Sequence, residues 1–154
     1  MMKYISCILL VCIIFSLTYC DEFKDKDDET TNGSMSRIDR VKEVSDFGAN
    51  PGNLKMFQYI PPGIPADTKV PLLVALHGCD MDALSYLNAG WLQMADEYKF
   101  SIVAPEQKIE NDFYEIGCFN FYKPEDFARD QGETKSVKSM IDHMVTLDSI
   151  DESK

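Results

Sequence analysis

Runs of apolar residues predict three strands in the middle of the chain. Residues 56–60 are rich in strand-forming side chains and stop at Pro61, which cannot donate to a ladder. Residues 71–76 are uninterruptedly apolar, as in a strand buried on both faces of a parallel sheet, and residues 100–105 form another short apolar run. A helix between the last two runs would complete a right-handed strand–helix–strand crossover.

Two helices are predicted because apolar residues recur at helical spacing. The first covers residues 82–99, with Gly90 dividing it into two pieces. The second begins near Asp130, which precedes Glu133 as the cap does in a capping box. Its apolar stripe consists of Val137, Met140, Ile141, Met144 and Val145. Together these elements predict an α/β fold in which helices flank a mostly parallel sheet.

Residues 1–20 have the pattern of an export signal. Lys3 precedes an apolar run over residues 4–19, which is shorter than the roughly 20 residues that a membrane-spanning helix needs. The end of the run resembles a lipoprotein signal in which Cys20 is lipidated, although Tyr19 departs from the small residue usual at that position. Cleavage by ordinary signal peptidase and retention as an uncleaved anchor are the alternatives.

The composition of the chain limits the number of folded domains and the kinds of partner that it can bind. Residues 21–40 are interpreted as an acidic flexible linker and residues 41–154 as one folded domain. The 154 residues include 15 Lys and Arg against 26 Asp and Glu, a net charge of -11. Such a surface repels phosphate backbones, which argues against nucleic acid as a partner.

Two of the five cysteines, Cys79 and Cys118, fall within the folded domain. A bond between them would stabilise the domain, and an exported chain meets the oxidising conditions that such a bond requires. The alternatives are two buried free thiols, or a zinc site with His77 and His143, whose spacing matches no recognised ligand pattern. We expect no metal and no cofactor.

The strand at residues 71–76 ends in a turn formed by His77, Gly78 and Cys79. Sites in α/β sheets lie at the carboxyl ends of the strands. In α/β-hydrolases a loop in this position supplies one backbone N–H to the oxyanion hole, and the residue after the nucleophile supplies the other. A His-Gly pair alone predicts little, because many turns that end a strand require glycine.

Four blocks in order resemble the secreted polyhydroxybutyrate depolymerase and feruloyl or acetylxylan esterase family, which has the α/β-hydrolase fold. They are LVALHGC at residues 73–79, GWLQMADEYKFSIVAPEQ at 90–107, GCFNFY at 117–122 and DQGE at 130–133. The resemblance extends over residues 54–144. It therefore implies the N-terminal half of an α/β-hydrolase domain.

The resemblance also implies roles for individual residues. The Cys79 backbone N–H would be an oxyanion donor, with His77 and Gly78 shaping its turn, and Cys79 would be bridged to Cys118. His77 is expected to shape structure and not to transfer protons. An aromatic loop is the candidate for contact with an ester substrate, either a polyester or an esterified polysaccharide. This loop consists of Phe119, Asn120, Phe121 and Tyr122. Phenylalanines stand where the family usually has tryptophans, so the substrate class stays open.

The sequence contains no Gly-x-Ser-x-Gly elbow, which holds the nucleophilic serine in this fold. Only Gly48 and Gly52 have the required spacing, and Asn50 lies between them. We therefore interpret the chain as part of a serine esterase, secreted or lipid-anchored at the cell envelope, that lacks the triad and has no turnover alone. A truncated sheet would expose the apolar edge of residues 72–76 and favour self-association. The alternative is a non-catalytic exported lipoprotein that uses the half-fold as a binding or interaction module.

Overall fold

The computed structural model of the chain describes residues 36–109, 116–147, 149–151 and 153. The predicted export signal with Cys20, and most of the predicted linker, lie outside the described residues. Within those ranges, no helix is both long enough and apolar enough to cross a membrane.

Four strands form one sheet in the described part of the chain. They are β1 (Lys42–Val44), β2 (Lys55–Tyr59), β3 (Leu72–Val74) and β4 (Ser101–Glu106), and their spatial order is β1-β2-β4-β3. β3 and β4 are parallel, whereas β1 with β2 and β2 with β4 are antiparallel. Residues 60–71, which connect β2 to β3 and are all described, contain no crossover helix, so β3 runs opposite to β2. The α/β class is confirmed, with a mixed sheet in place of the mostly parallel one.

β3 is less buried than the apolar run over residues 71–76 predicts. Its residues are half-buried, and Leu76 beyond its end is 49% exposed, because β4 covers only one side of this strand. A further pairing begins at Val70, whose N–H donates to Ser149 O at 2.8 Å and whose carbonyl oxygen accepts the Asp151 N–H at 2.9 Å. These bonds form a parallel bridge at the outer edge of the sheet, next to the start of β3.

Four α-helices, a 3-10 turn and a π-helical turn accompany the sheet in the described residues. They are α1 (Ala83–Tyr86), α2 (Leu92–Tyr98), α3 (Pro124–Phe127) and α4 (Gly132–Val145), with a 3-10 turn at Ile38–Arg40 and a π-helical turn at Leu87–Trp91. The predicted division at Gly90 is confirmed, because Gly90 has φ = +123° and interrupts the helical backbone between α1 and α2. α1 begins after Asp82, whose carboxylate accepts the Ser85 N–H at 2.7 Å.

The predicted capping box at the start of α4 is wrong. The residue before the helix is Gln131, which makes no side-chain capping bond, and Asp130 has a left-handed backbone with φ = +60°. Gly132 leaves no room for a side chain, since a Cβ there would lie 2.6 Å from Asp126 Cα. Glu133 is buried, and its carboxylate bonds to the aromatic loop instead of the helix end.

Two apolar clusters cover opposite faces of the sheet. On β4, Ile102 and Ala104 belong to the first cluster and Val103 to the second, as the alternation of side chains along a strand requires. α1 and α2 contribute to the first cluster, and α4 contributes the fully buried Met140 and Met144 to the second. Four residues of the predicted stripe thus pack on the sheet, namely Val137, Met140, Met144 and Val145, whereas Ile141 is not part of this cluster.

The folded unit begins inside the predicted linker. Ile38 packs against the first cluster. Arg37 and Arg40 donate to Asp96 on α2 at 2.9 and 3.1 Å. The described part of that segment, residues 36–40, therefore belongs to the domain.

Candidate active site

The side chain of His77 holds the turn that follows β3. His77 is 4% exposed, and its Nε2 accepts the Gln107 backbone N–H at 3.1 Å. That bond assigns the ring proton to Nδ1, which donates to the Gly78 carbonyl oxygen at 2.8 Å. The ring therefore connects the carboxyl end of β4 to the turn, and both of its nitrogens are occupied.

A disulfide joins the same turn to the aromatic loop. Cys79 and Cys118 are bridged, as the resemblance implies, with Cα atoms 4.3 Å apart. Asp80 donates its backbone N–H to the Ile116 carbonyl oxygen at 2.7 Å, which closes the two segments beside the bridge. The Cys79 backbone N–H has no acceptor among the described residues. Joined sulfurs cannot serve as zinc thiolates, and the described ranges hold no group of three metal-ligating side chains.

The aromatic loop combines buried and exposed side chains. Phe119 is half-buried, and its ring centroid lies 4.9 Å from that of His77. Asn120 is 4% exposed, and its side-chain oxygen accepts the Tyr122 hydroxyl at 3.0 Å. Phe121 is 70% exposed. The structure thus joins this loop to the turn, but within the loop Phe121 alone presents most of its surface to solvent.

Glu133 connects the aromatic loop to the end of β4. Its carboxylate accepts the backbone and side-chain N–H groups of Asn120, each at 2.9 Å, and a hydrogen bond from the Gln107 side-chain amide. Glu133 is 6% exposed, and no Lys or Arg pairs with it in the described part of the chain. Burial raises the pKa of Glu133 to about 6; the bonds from Asn120 oppose this rise, and the charge of Asp126 adds to it.

Sequence reasoning missed the roles of Gln107 and Glu133. Both stand in blocks that carry the family resemblance, directly after β4 and at the start of α4. An amide directly after a fully buried strand is a signal that points to Gln107, because buried polar groups require partners. The capping-box pattern predicts that Glu133 bonds to the start of its own helix. It therefore gives no indication that Glu133 is buried.

An apolar groove of about 390 Å³ opens beside the aromatic loop. Its walls include Leu76, Phe121 and Phe127, together with Val137 and Ile141 of α4. Leu76, Phe121 and Phe127 are all exposed. Contiguous exposed apolar surface of this kind is typical of binding surfaces.

Comparison with known proteins shows to which family the chain belongs. Residues 54–154 match the family described as Esterase PHB depolymerase. The chain belongs to this esterase family. The match begins at the residue before β2 and includes the turn, the aromatic loop and α4.

Two curated relatives of the esterase family have names that state an activity. Poly(3-hydroxyalkanoate) depolymerase C from Paucimonas lemoignei is 44% identical over 121 residues, which are 79% of this chain and 28% of that protein. Feruloyl esterase B from Thermothelomyces thermophilus is 28% identical over 116 residues, which are 74% of this chain and 38% of that protein. The chain thus spans 28% and 38% of the length of these relatives.

A solved structure confirms the fold. Acetyl xylan esterase from Aspergillus awamori superposes with a TM-score of 0.64 at 23% sequence identity. The superposition covers 74% of this chain and 40% of that chain. The sheet with its flanking helices is therefore the partial α/β fold that the sequence predicts.

Proposed function

We propose that this chain forms the oxyanion side and part of the substrate wall of an exported carboxylic ester hydrolase. The Cys79 backbone N–H would be one donor to the oxygen of the tetrahedral intermediate. The observation that carries the proposal is that the turn is fixed from two sides. The Gln107–His77 hydrogen bond fixes one side, and the bridge from Cys79 to Cys118 fixes the other. Membership of the esterase family supports the same reaction class.

Fixation of the turn matters because an oxyanion donor must point at the developing charge before the reaction begins. Donors that are already oriented in a site without water stabilise the transition state far more than the same donors do in water. The turn follows the parallel pair β3 and β4 at their carboxyl ends, where α/β sheets place their ligands. Position and rigidity both suit an oxyanion donor.

For the substrate wall, we propose Phe121 as the principal contact, with Phe119 and Tyr122 beside it and Asn120 as its support. Phe121 is exposed at the apolar groove, whereas Asn120 is buried and bonded through its own amide groups. An apolar wall next to an oxyanion donor suits the carbon skeleton of an ester. Relatives are named for a polyester, a feruloyl ester and an acetylxylan, so we propose a polyester or an esterified polysaccharide as the substrate class.

Export of the chain is part of the proposal. The Cys79–Cys118 disulfide is typical of proteins that fold under oxidising conditions. Residues 1–20 would direct secretion, and Cys20 would add a lipid anchor at the cell envelope if it is processed as a lipoprotein signal. Intact mass of the exported protein distinguishes a lipidated Cys20 from a cleaved, unmodified terminus.

Hydrolysis would require groups that this sequence does not hold, since no Gly-x-Ser-x-Gly occurs in it. The test is a chimera in which residues 36–147 replace the matched segment of depolymerase C from Paucimonas lemoignei. We expect the chimera to hydrolyse a short-chain aryl ester, with activity abolished by a serine-directed inhibitor, and the full chain alone to show no turnover. A chimera that folds with its disulfide yet is inactive would contradict the proposal, as would turnover by the chain alone.

The apolar groove favours a second candidate function, a non-catalytic exported lipoprotein that acts as a binding or interaction module. On that account the full chain would bind polyester particles without hydrolysing them, and Phe121→Ala would weaken binding at least several-fold. Tyr98→Ala is the matched control, because Tyr98 is an aromatic residue of α2 that is 65% exposed and not part of the groove. Binding that survives Phe121→Ala would exclude the groove as the contact surface.

A further inference from the structure

We propose that Glu133 is a positioning residue of the esterase site, which holds the aromatic loop and the Cys79 turn in one fixed arrangement. The proposal rests on the proposed function, because it takes Phe121 and the Cys79 N–H as the groups that meet the substrate. Glu133 acts through Asn120 and Gln107, to which it is directly bonded.

The first branch of the network runs through Asn120 to Phe121. Glu133 accepts both the backbone and the side-chain N–H of Asn120. The Asn120 carbonyl oxygen accepts the Lys123 N–H at 3.0 Å, and its side-chain oxygen accepts the Tyr122 hydroxyl at 3.0 Å. The residues on both sides of Phe121 are therefore fixed, and the placement of Phe121 at the groove follows from that of Asn120.

The second branch runs through Gln107 to the turn. The Gln107 side chain donates to Glu133, and its oxygen accepts the Lys108 N–H at 3.0 Å, so both ends of the amide are occupied. The Gln107 backbone N–H donates to His77, which in turn donates to the Gly78 carbonyl oxygen at 2.8 Å. A displacement of the Gln107 amide is thus transmitted to the residue that precedes the oxyanion donor.

The backbone around Gly52 fixes Glu133 itself. A Cβ at Gly52 would lie 2.6 Å from Glu133 Cα, and the Gly52 N–H donates to Ser136 Oγ at 2.9 Å. The turn before β2 therefore packs directly on the first turn of α4. Because backbone meets backbone here, Glu133 cannot move away from Asn120 without moving the helix.

Two charged side chains, Asp126 and Lys138, line the same groove as Glu133, and Lys138 is paired with Asp142. Asp126 raises the pKa of Glu133 further, whereas its hydrogen-bond partners, Gln107 after β4 and Asn120 in the aromatic loop, are neutral amides. The turn at Gly52 contributes no charge to this contact. The Lys108 ammonium donates to Asn53 at 2.8 Å. Ionisation of Glu133 is therefore the event that changes the charge at the centre of the network.

The test is an NMR titration of the full ¹⁵N-labelled chain from pH 4.5 to about 7.5. We expect the backbone amides of Asn120 and Cys79 to shift with a common midpoint near pH 6, because one carboxylate controls both. Glu133→Gln should abolish both shifts. Asp126→Asn is the matched control, since it removes a neighbouring carboxylate and should lower the midpoint while keeping both shifts.

Two results would overturn the proposal. One is a Cys79 amide that does not titrate in the unsubstituted chain, a measurement that requires no variant to fold. The other is a Cys79 shift that persists in Glu133→Gln, which would show that a group other than Glu133 controls the turn. An inactive chimera would contradict the proposed function but leave these shifts unchanged, so the two failures are distinguishable.

Discussion

Asp96 and Glu133 each connect segments that are far apart in the sequence, but at opposite ends of β4. Asp96 accepts the Tyr59 hydroxyl at 2.5 Å and pairs with Arg37 and Arg40 at 2.9 and 3.1 Å. Tyr59 lies opposite the start of β4, whereas Glu133 bonds to the residue after its end. Glu133 is bonded to neutral amides within the described residues.

The difference between the two carboxylates is the way in which their charge is compensated. Two guanidinium groups offset the charge of Asp96, whose side chain is 18% exposed, so the contribution of this cluster should weaken with salt. No cation of the described residues pairs with Glu133, so its contribution should depend on pH. Burial and the bond to Asp96 raise the pKa of Tyr59, which keeps its hydroxyl a donor. The start of β4, remote from the Cys79 turn, is thus stabilised by ion pairs. The other end of β4, at the candidate site, is stabilised by one carboxylate that is bonded to neutral amides.

The largest expected effect comes from the Cys79–Cys118 disulfide, which lies at the end of β4 that carries the candidate site. Cys79→Ala combined with Cys118→Ala opens a loop with a sequence separation of 39 residues. The free energy of unfolding should fall by about 4 kcal/mol, because the unfolded chain regains the entropy that the bridge removes. Urea denaturation of the full chain measures this difference. A loss below about 1 kcal/mol would show that the hydrogen-bond network alone fixes the turn.

Removal of the Glu133 carboxylate should have the next largest effect. Glu133→Ala leaves the buried donors of Asn120 and Gln107 without their acceptor and should lower the free energy of unfolding by about 3 kcal/mol. Urea denaturation at neutral pH provides the measurement. A loss no greater than that of Asp96→Ala would contradict the contrast between the two ends.

The pH dependence of stability separates the charge of Glu133 from its hydrogen bonds. The pKa of Glu133 is raised from 4.5 to about 6, so the folded state binds more protons between these values than the unfolded state does. The contribution of Glu133 to stability is therefore largest below pH 4.5 and declines by about 2 kcal/mol as the pH rises through 6. Subtracting the profile of Glu133→Gln isolates this slope, and a flat difference would contradict the account.

The smallest effect is expected at the remote end. Asp96→Ala removes two partly exposed ion pairs, which should contribute about 1 kcal/mol in low salt and less in high salt because they are screened. It also removes the acceptor of the Tyr59 hydroxyl, a loss that should not depend on salt. Parallel denaturation series at low and high salt supply the test. The effect of Glu133→Ala should change little over the same salt range, and an equal salt dependence of the two variants would remove the distinction between them.

Local signals in the sequence are sufficient to predict much of the fold. The apolar runs locate β2 and β4, and the helical spacing together with Gly90 gives the interrupted helix between β3 and β4. The four family blocks yield the Cys79–Cys118 bridge. The strands and the interrupted helix each depend on one short segment, whereas the bridge joins positions 39 residues apart and is implied only by the resemblance.

The hydrogen-bond network could not be predicted in the same way, because it depends on contacts between distant segments. Gln107 lies 26 residues from Glu133 and 30 residues from His77 in the sequence. The capping-box pattern is local and predicts a different partner for Glu133. The apolar character of residues 71–76 predicts a strand buried on both faces, and only the interpretation as part of an α/β-hydrolase domain predicts the edge position that β3 has in the described sheet.

The central claim is that the Cys79 backbone N–H is an oxyanion donor, and one pair of variants tests it directly. Cys79→Ala and Cys79→Pro both lose the bridge to Cys118, but only the proline variant also loses the N–H. We predict that kcat of the chimera carrying Cys79→Pro is about 10²- to 10³-fold lower than that of the chimera carrying Cys79→Ala. Equal kcat values for the two folded chimeras would contradict the claim.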